Sequence, residues 1–111
     1  MQIVAHPMLE RDLIEIAAHI YTVTQDGSAA RRRIIEARDL LREVKENPLF
    51  GAPLAKDLQG WRVRHGGRGR MLSVVYRLDA DADRLDLALV AFAGQDWQTK
   101  AAQRKSDLSP K

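Results

Sequence analysis

Two stretches of helical period followed by stretches of period two set the limits on what this chain can fold into. Leu9, Leu13, Ile16, Ile20 and Val23 recur at steps of 4, 3, 4 and 3, which places them on one stripe of a helix. Glu10, Arg11, Asp12 and Glu15 then supply its wet face. Ala30, Ile34, Ala37, Leu41 and Val44 repeat the same steps, and the small Ala30 and Ala37 let this second helix approach the first closely. Gln25, Asp26, Gly27 and Ser28 interrupt the pattern, with Gly27 free to turn left-handed and Ser28 able to cap the helix that follows. The expected unit is a helical hairpin, ended by Asn47 and Pro48.

The segments on either side read as strands. Gln2 to His6 alternates weakly and stops at Pro7, which suits a short strand leading into a helix. After the breakers Phe50, Gly51, Ala52 and Pro53, Leu54 and Leu58 suggest one irregular helical turn. Trp61 to His65 and Met71 to Leu78 read as strands joined by a glycine-rich turn, and Asp79 to Asp83 as the next turn. Arg84 to Phe92 completes the sheet, with Leu85, Leu87 and Leu89 expected to meet the helices. A short helix is expected around Trp97 to Arg104. The predicted class is α+β, in the order β-α-α-β-β-β with a short C-terminal helix: a helical hairpin on one side of a small antiparallel sheet. One domain should span 1–104, with 105–111 a frayed tail.

Composition narrows the chemistry. A chain of 111 residues holds one core, and 45% hydrophobic with only 5% aromatic residues makes that core aliphatic. The absence of cysteine removes disulfides, thiolate metal sites and cysteine nucleophiles, and fits a reducing compartment. No stretch approaches the roughly 18 apolar residues of a membrane span, and residues 1–12 lack the basic start and apolar run of a secretory leader, so none is expected. A cytoplasmic protein without membrane contact is expected.

The charge is uneven. From Lys56 to Arg77 stand Lys56, Arg62, Arg64, Arg68, Arg70 and Arg77 against the single Asp57. Strand alternation separates Trp61 and Val63 from Arg62 and Arg64. If Val63 enters the core under the helices, both arginines point away from it. With Arg68 and Arg70 they make a patch whose planar forks can grip phosphate or carboxylate, the alternative being a solvated sheet face. His65 lies inside the basic segment and could act as acid or base near neutral pH or be a passive neighbour. His6 and His19 lack metal spacing and should sit on a strand end and a helix surface. Asp79, Asp81 and Asp83 imitate the start of a calcium loop, but its glycine and final acidic positions hold Arg84 and Val90. A solvated hairpin turn is the expected reading, and no metal or other cofactor is implied. Gly66-Gly67-Arg68-Gly69 joins strand to strand and so is not a phosphate-binding loop.

His6-Pro7 leading into Arg11-Asp12-Leu13-Ile14-Glu15-Ile16, then Asn47-Pro48-Leu49-Phe50-Gly51, Leu58-Gln59-Gly60-Trp61-Arg62-Val63 and Val74-Val75-Tyr76-Arg77, together resemble RelE/ParE-family toxins over nearly the whole chain. The resemblance implies the toxin half of a type II toxin–antitoxin pair that arrests growth when free, with a cognate antitoxin as partner in a hetero-oligomer. ParE-like members inhibit DNA gyrase, and RelE-like members cut mRNA on the ribosome. The RelE-like pattern has a basic pair before the turn, an arginine three residues before the strand tyrosine, and a basic residue then a tyrosine after the last strand. Arg62 and Arg64 match the pair. Ser73, Gln95-Asp96 and Ala102 depart from the rest, and Asp96 would repel phosphate. The resemblance therefore points to a ParE-like toxin acting on gyrase, with the mRNA endoribonuclease as alternative and a non-toxic binding partner as another. A target or antitoxin surface would use Arg62, Arg64, Arg68, Arg70 and Arg77; a nuclease would use Arg62, Arg64, His65 and Arg70.

Overall fold

Strands β1 (Gln2–Ala5), β2 (Ala52–Pro53), β3 (Arg62–Gly66), β4 (Leu72–Asp79) and β5 (Arg84–Phe92) hydrogen-bond in the order β1-β5-β4-β3-β2 in a computed structural model that describes residues 1–108. Helices α1 (Leu9–Thr24), α2 (Gly27–Glu46) and α3 (Trp97–Arg104) complete the α+β fold. The sheet is mixed where an antiparallel one was expected. A helical hairpin separates β1 from the rest, so β1 returns parallel to β5, with Gln2 opposite Arg84 and Ala5 opposite Leu87.

The core is divided by the sheet. Leu9, Leu13 and Ile16 of α1 and Ala37, Leu40, Leu41 and Val44 of α2 pack against Leu72, Val74, Tyr76, Leu85, Leu87 and Val90. Thirteen aliphatic and aromatic residues of this kind, removed from water at about 25 cal/mol per Å², supply the main drive for folding. The opposite face is covered as well, where a bare face was expected. Leu58, Trp61, Val63, Val75, Ala88, Leu89, Ala91, Ala101 and Leu108 form a second cluster under α3.

Two strand assignments change as a result. Val75 pairs with Leu89 but Tyr76 pairs with Leu87, so Ala88 is an extra residue in β5. That bulge resets the alternation: Leu85 and Leu87 meet the hairpin as expected, whereas Leu89 turns to the α3 side. Val63 also faces α3. Arg62 and Arg64 consequently lie on the hairpin side of the sheet, the reverse of the arrangement with Val63 under the helices.

The hairpin differs at its ends. Val23, placed in the apolar stripe, is 68% exposed in the last turn of α1. Asp12, placed on the wet face, is buried. Gln25, with φ 55°, ends α1 in the left-handed conformation, and Asp26 caps α2 by accepting from Ser28 N–H at 2.9 Å. Gly27 is thus the first residue of the helix and Ser28 receives the cap. The tail is fixed further than expected: Lys105–Leu108 form a 3-10 turn, Leu108 is buried, and its carbonyl accepts from Arg77 at 3.0 Å and Arg84 at 2.9 Å. The rest of the predicted tail, 109–111, lies outside the described residues. No helix among the described residues is long and apolar enough to cross a membrane.

Candidate binding cleft

Tyr76 fixes the loop that borders the cleft. Its ring is buried at the hairpin face, and its hydroxyl donates to Pro48 O at 2.6 Å and accepts from Gly51 N–H at 2.8 Å. Burial pushes this phenol above its ordinary value, against the pull of the Gly51 bond and of Arg62 and Arg64. Arg62 Nη1 adds a bond to Gly51 O at 2.8 Å. The backbone from Pro48 to Gly51 is thereby fixed, and Leu49 and Phe50 stand outward, 69% and 75% exposed.

Phe50, Ala52, Val63, Arg64, His65 and Arg70 line a cleft of about 300 Å³ along this rim. Short β2 pairs only with Arg62 and Val63, so Arg64 to Gly66 form an uncovered sheet edge there. The Arg64 guanidinium lies 5.5 Å from the Phe50 ring centre and reaches Glu43 Oε1 at 3.3 Å, while its Nη1 is buried with no hydrogen-bond partner. Arg70 is exposed, holds φ 56° and has no carboxylate partner among the described residues. A non-glycine residue in that conformation is a form of strain found at binding loops. His65 Nδ1 lies 2.7 Å from Ser73 Oγ, and its ring meets Trp97 edge-on at 6.4 Å. Two guanidinium groups, an imidazole and an aromatic face together can hold an anion beside an apolar group.

The fold gathers Arg64, His65 and Arg70 from the predicted set and separates the others. Arg62 sits at the margin, bound to Gly51. Arg68 presents an exposed side chain on the neighbouring turn, its backbone N–H donating to Glu36. Arg77 is removed from the patch altogether. It lies on the α3 side, 4.6 Å from the Trp61 ring centre, and donates to buried Asp86 at 3.1 and 2.7 Å. Odd-numbered β4 residues face α3, so Arg77 cannot join Arg62 and Arg64. His6 is buried and bonded to Asp107 at 2.9 Å, and His19 packs on Phe92 at 5.8 Å. Asp79 accepts from Ala82 N–H at 3.1 Å in the β4–β5 turn.

The residues at the nuclease-pattern positions have other work. Ser73 partners His65, and Ala102 packs beside the α3 cluster. Asp96 caps α3, and its bonds to the Thr99 side chain and N–H, at 2.6 and 3.2 Å, hold its carboxyl below the usual range. Phe50 was not singled out from the sequence as a site residue. An aromatic residue following Asn47-Pro48 in a short loop was the available signal, because such a residue has no periodic face to bury.

No protein-family model matches this sequence, and no curated protein matches it. Solved structures do. The chain resembles a YoeB/ParE toxin from Agrobacterium tumefaciens at 23% identity and TM-score 0.55, covering 83% of this chain and 98% of that one. A chromosomal ParDE toxin–antitoxin system from P. aeruginosa matches at 15% identity and TM-score 0.62, over 84% and 96% of the two chains. The toxin–antitoxin complex RelBE2 from Mycobacterium tuberculosis matches at 18% identity and TM-score 0.52, over 82% and 95%. The strand, helical hairpin and strands of this chain therefore have the fold of the RelE/ParE toxins.

Proposed function

We propose that this chain is the toxin of a type II toxin–antitoxin pair, arresting growth when its antitoxin is absent and acting in the ParE-like manner on DNA gyrase. The observation that carries the reading is the toxin fold over 82–84% of the chain, shared with three solved toxin structures. The concentrated positive charge of the Arg64 and Arg70 cleft supports binding of an acidic partner. Gyrase is favoured over mRNA because Ser73, Asp96 and Ala102 stand where phosphoryl transfer on the ribosome would need an arginine, a second cation and a phenol. The test is to titrate the purified full chain into a gyrase supercoiling reaction and into ribosomes translating a defined mRNA. Loss of supercoiling with intact mRNA is the expected result.

One arrangement favours the nuclease as a second reading. Ser73 holds His65 by Nδ1, so Nε2 is not used in that bond, and His65 lines a cleft together with Arg64 and Arg70. Codon-position cuts abolished by His65→Ala or Arg70→Ala would replace gyrase with mRNA as the target.

A further inference from the structure

Phe50 stands as a ridge between two clefts of opposite character. On one side is the basic cleft already described. On the other, Leu49, Phe50 and Leu78 line an apolar cleft of about 420 Å³ bordered by Glu46. Leu49 and Phe50 are the two most exposed large apolar side chains of the described residues, and they are adjacent. Their exposure is not slack in the loop, because Tyr76 and Arg62 fix the backbone beneath them.

We propose that this ridge seats an extended peptide segment, which lays an aliphatic or aromatic side chain in the Leu49–Leu78 cleft and a carboxylate against Arg64 and Arg70. The apolar half answers the exposed Leu49 and Phe50, and the carboxylate half answers the cations beside them. Arg70 is exposed and has no carboxylate partner among the described residues, and the partly exposed Arg64 beside it reaches only Glu43. A single carboxylate matches a guanidinium fork, and the uncovered main chain of Arg64 to Gly66 offers hydrogen bonds to an extended backbone. A nucleic acid fits less well. Glu43 and Glu46 border the ridge on its two sides, where a run of phosphates would meet them, whereas a peptide can place one acid and one apolar residue between them. That the peptide belongs to the antitoxin rests on the toxin reading; its chemistry rests on the surface alone.

The experiment selects a displayed library of random short peptides on the immobilised full chain. Enriched peptides are then synthesised and titrated by fluorescence anisotropy. Enrichment of Asp or Glu beside Leu, Ile or Phe is expected, and glutamine analogues should bind more weakly. Phe50→Ala and Arg70→Glu should each weaken binding about tenfold or more, as central contacts do. Both side chains are exposed, so melting should match the parent; Arg70→Gln serves if Arg70→Glu does not fold. Oligouridylate should not compete. No enrichment, unchanged affinity in both variants, or displacement by oligouridylate at equal strength would overturn the proposal. If selection fails while the chain still arrests growth, the docking site falls alone. If selection succeeds and the chain is harmless in cells, the toxin reading falls alone.

Discussion

Arg104 and Asp12, 92 residues apart, meet in a buried twin hydrogen bond, with Nη1 and Nη2 of the guanidinium 2.7 and 2.8 Å from the two carboxylate oxygens. The pair also finishes the sheet. Pairing of β1 with β5 ends at Leu87, and beyond it Val90 N–H donates to Asp12 at 3.2 Å while Ala88 O accepts from Arg104 at 3.0 Å. One ion pair thus joins α1, β5 and α3 where the strand edge would otherwise be open.

Removing one partner should be costly. Arg104→Met removes the twin hydrogen bond and leaves buried Asp12 facing only Lys100 Nζ, 3.7 Å away, and a loss of up to about 3–5 kcal/mol in urea denaturation is expected. The double change Asp12→Leu with Arg104→Met should lose clearly less. Equal losses in the single and double variants would mean that packing, not charge pairing, carries the contact.

Tyr76→Phe should lower stability at neutral pH by about 1–3 kcal/mol, because the buried Gly51 N–H loses its acceptor. The pH dependence follows from the raised phenol. Since the folded pKa lies above the ordinary 10.0, stabilisation is complete below that value and declines as pH rises through the folded pKa. Parent and variant should therefore converge in melting temperature at alkaline pH, and a gap that stays constant would contradict this role for Tyr76.

Gly51→Ala tests the same contact from the other side. The backbone there, at φ −70° and ψ 149°, suits any residue, yet an added Cβ would lie 2.8 Å from Tyr76 Cζ. Overpacking of this kind costs about 1–3 kcal/mol. A variant that melts like the parent would show that the Pro48–Gly51 loop can move away from Tyr76.

Charge reversal at the cleft should separate folding from function. Arg70→Glu removes no internal bond and should change stability by no more than about 0.5 kcal/mol while weakening growth arrest or antitoxin binding. Arg62→Glu with Arg64→Glu should melt lower than Arg70→Glu, because Arg62 also holds Gly51 O. Val63→Asp should unfold the chain by burying an unpaired charge under α3. If Arg70→Glu leaves both activities intact, the cleft is only a solvated rim.

Much of the fold was legible because it rests on period. Leu9, Leu13 and Ile16 and then Ala37, Leu41 and Val44 can bury together only on helices, and that alone gave the hairpin. What escaped depends on long-range partners. Asp12 looked wet because nothing nearby in sequence signals Arg104, and Leu89 looked like a hairpin-facing residue because a bulge at Ala88 leaves no local mark. The face of Val63 depended on α3 covering the second side of the sheet, which a short C-terminal segment did not announce. At the cleft, composition concentrated the arginines but could not tell Arg70, which has no carboxylate partner among the described residues, from Arg77, which is committed to Asp86.

The central claim is that the free chain is a toxin, and viable counts after induced expression test it most directly. Expression of the full chain alone should stop colony formation, and co-expression of the small reading frame beside its gene should restore it. Undiminished colony counts from cells shown to accumulate the folded protein would contradict the account.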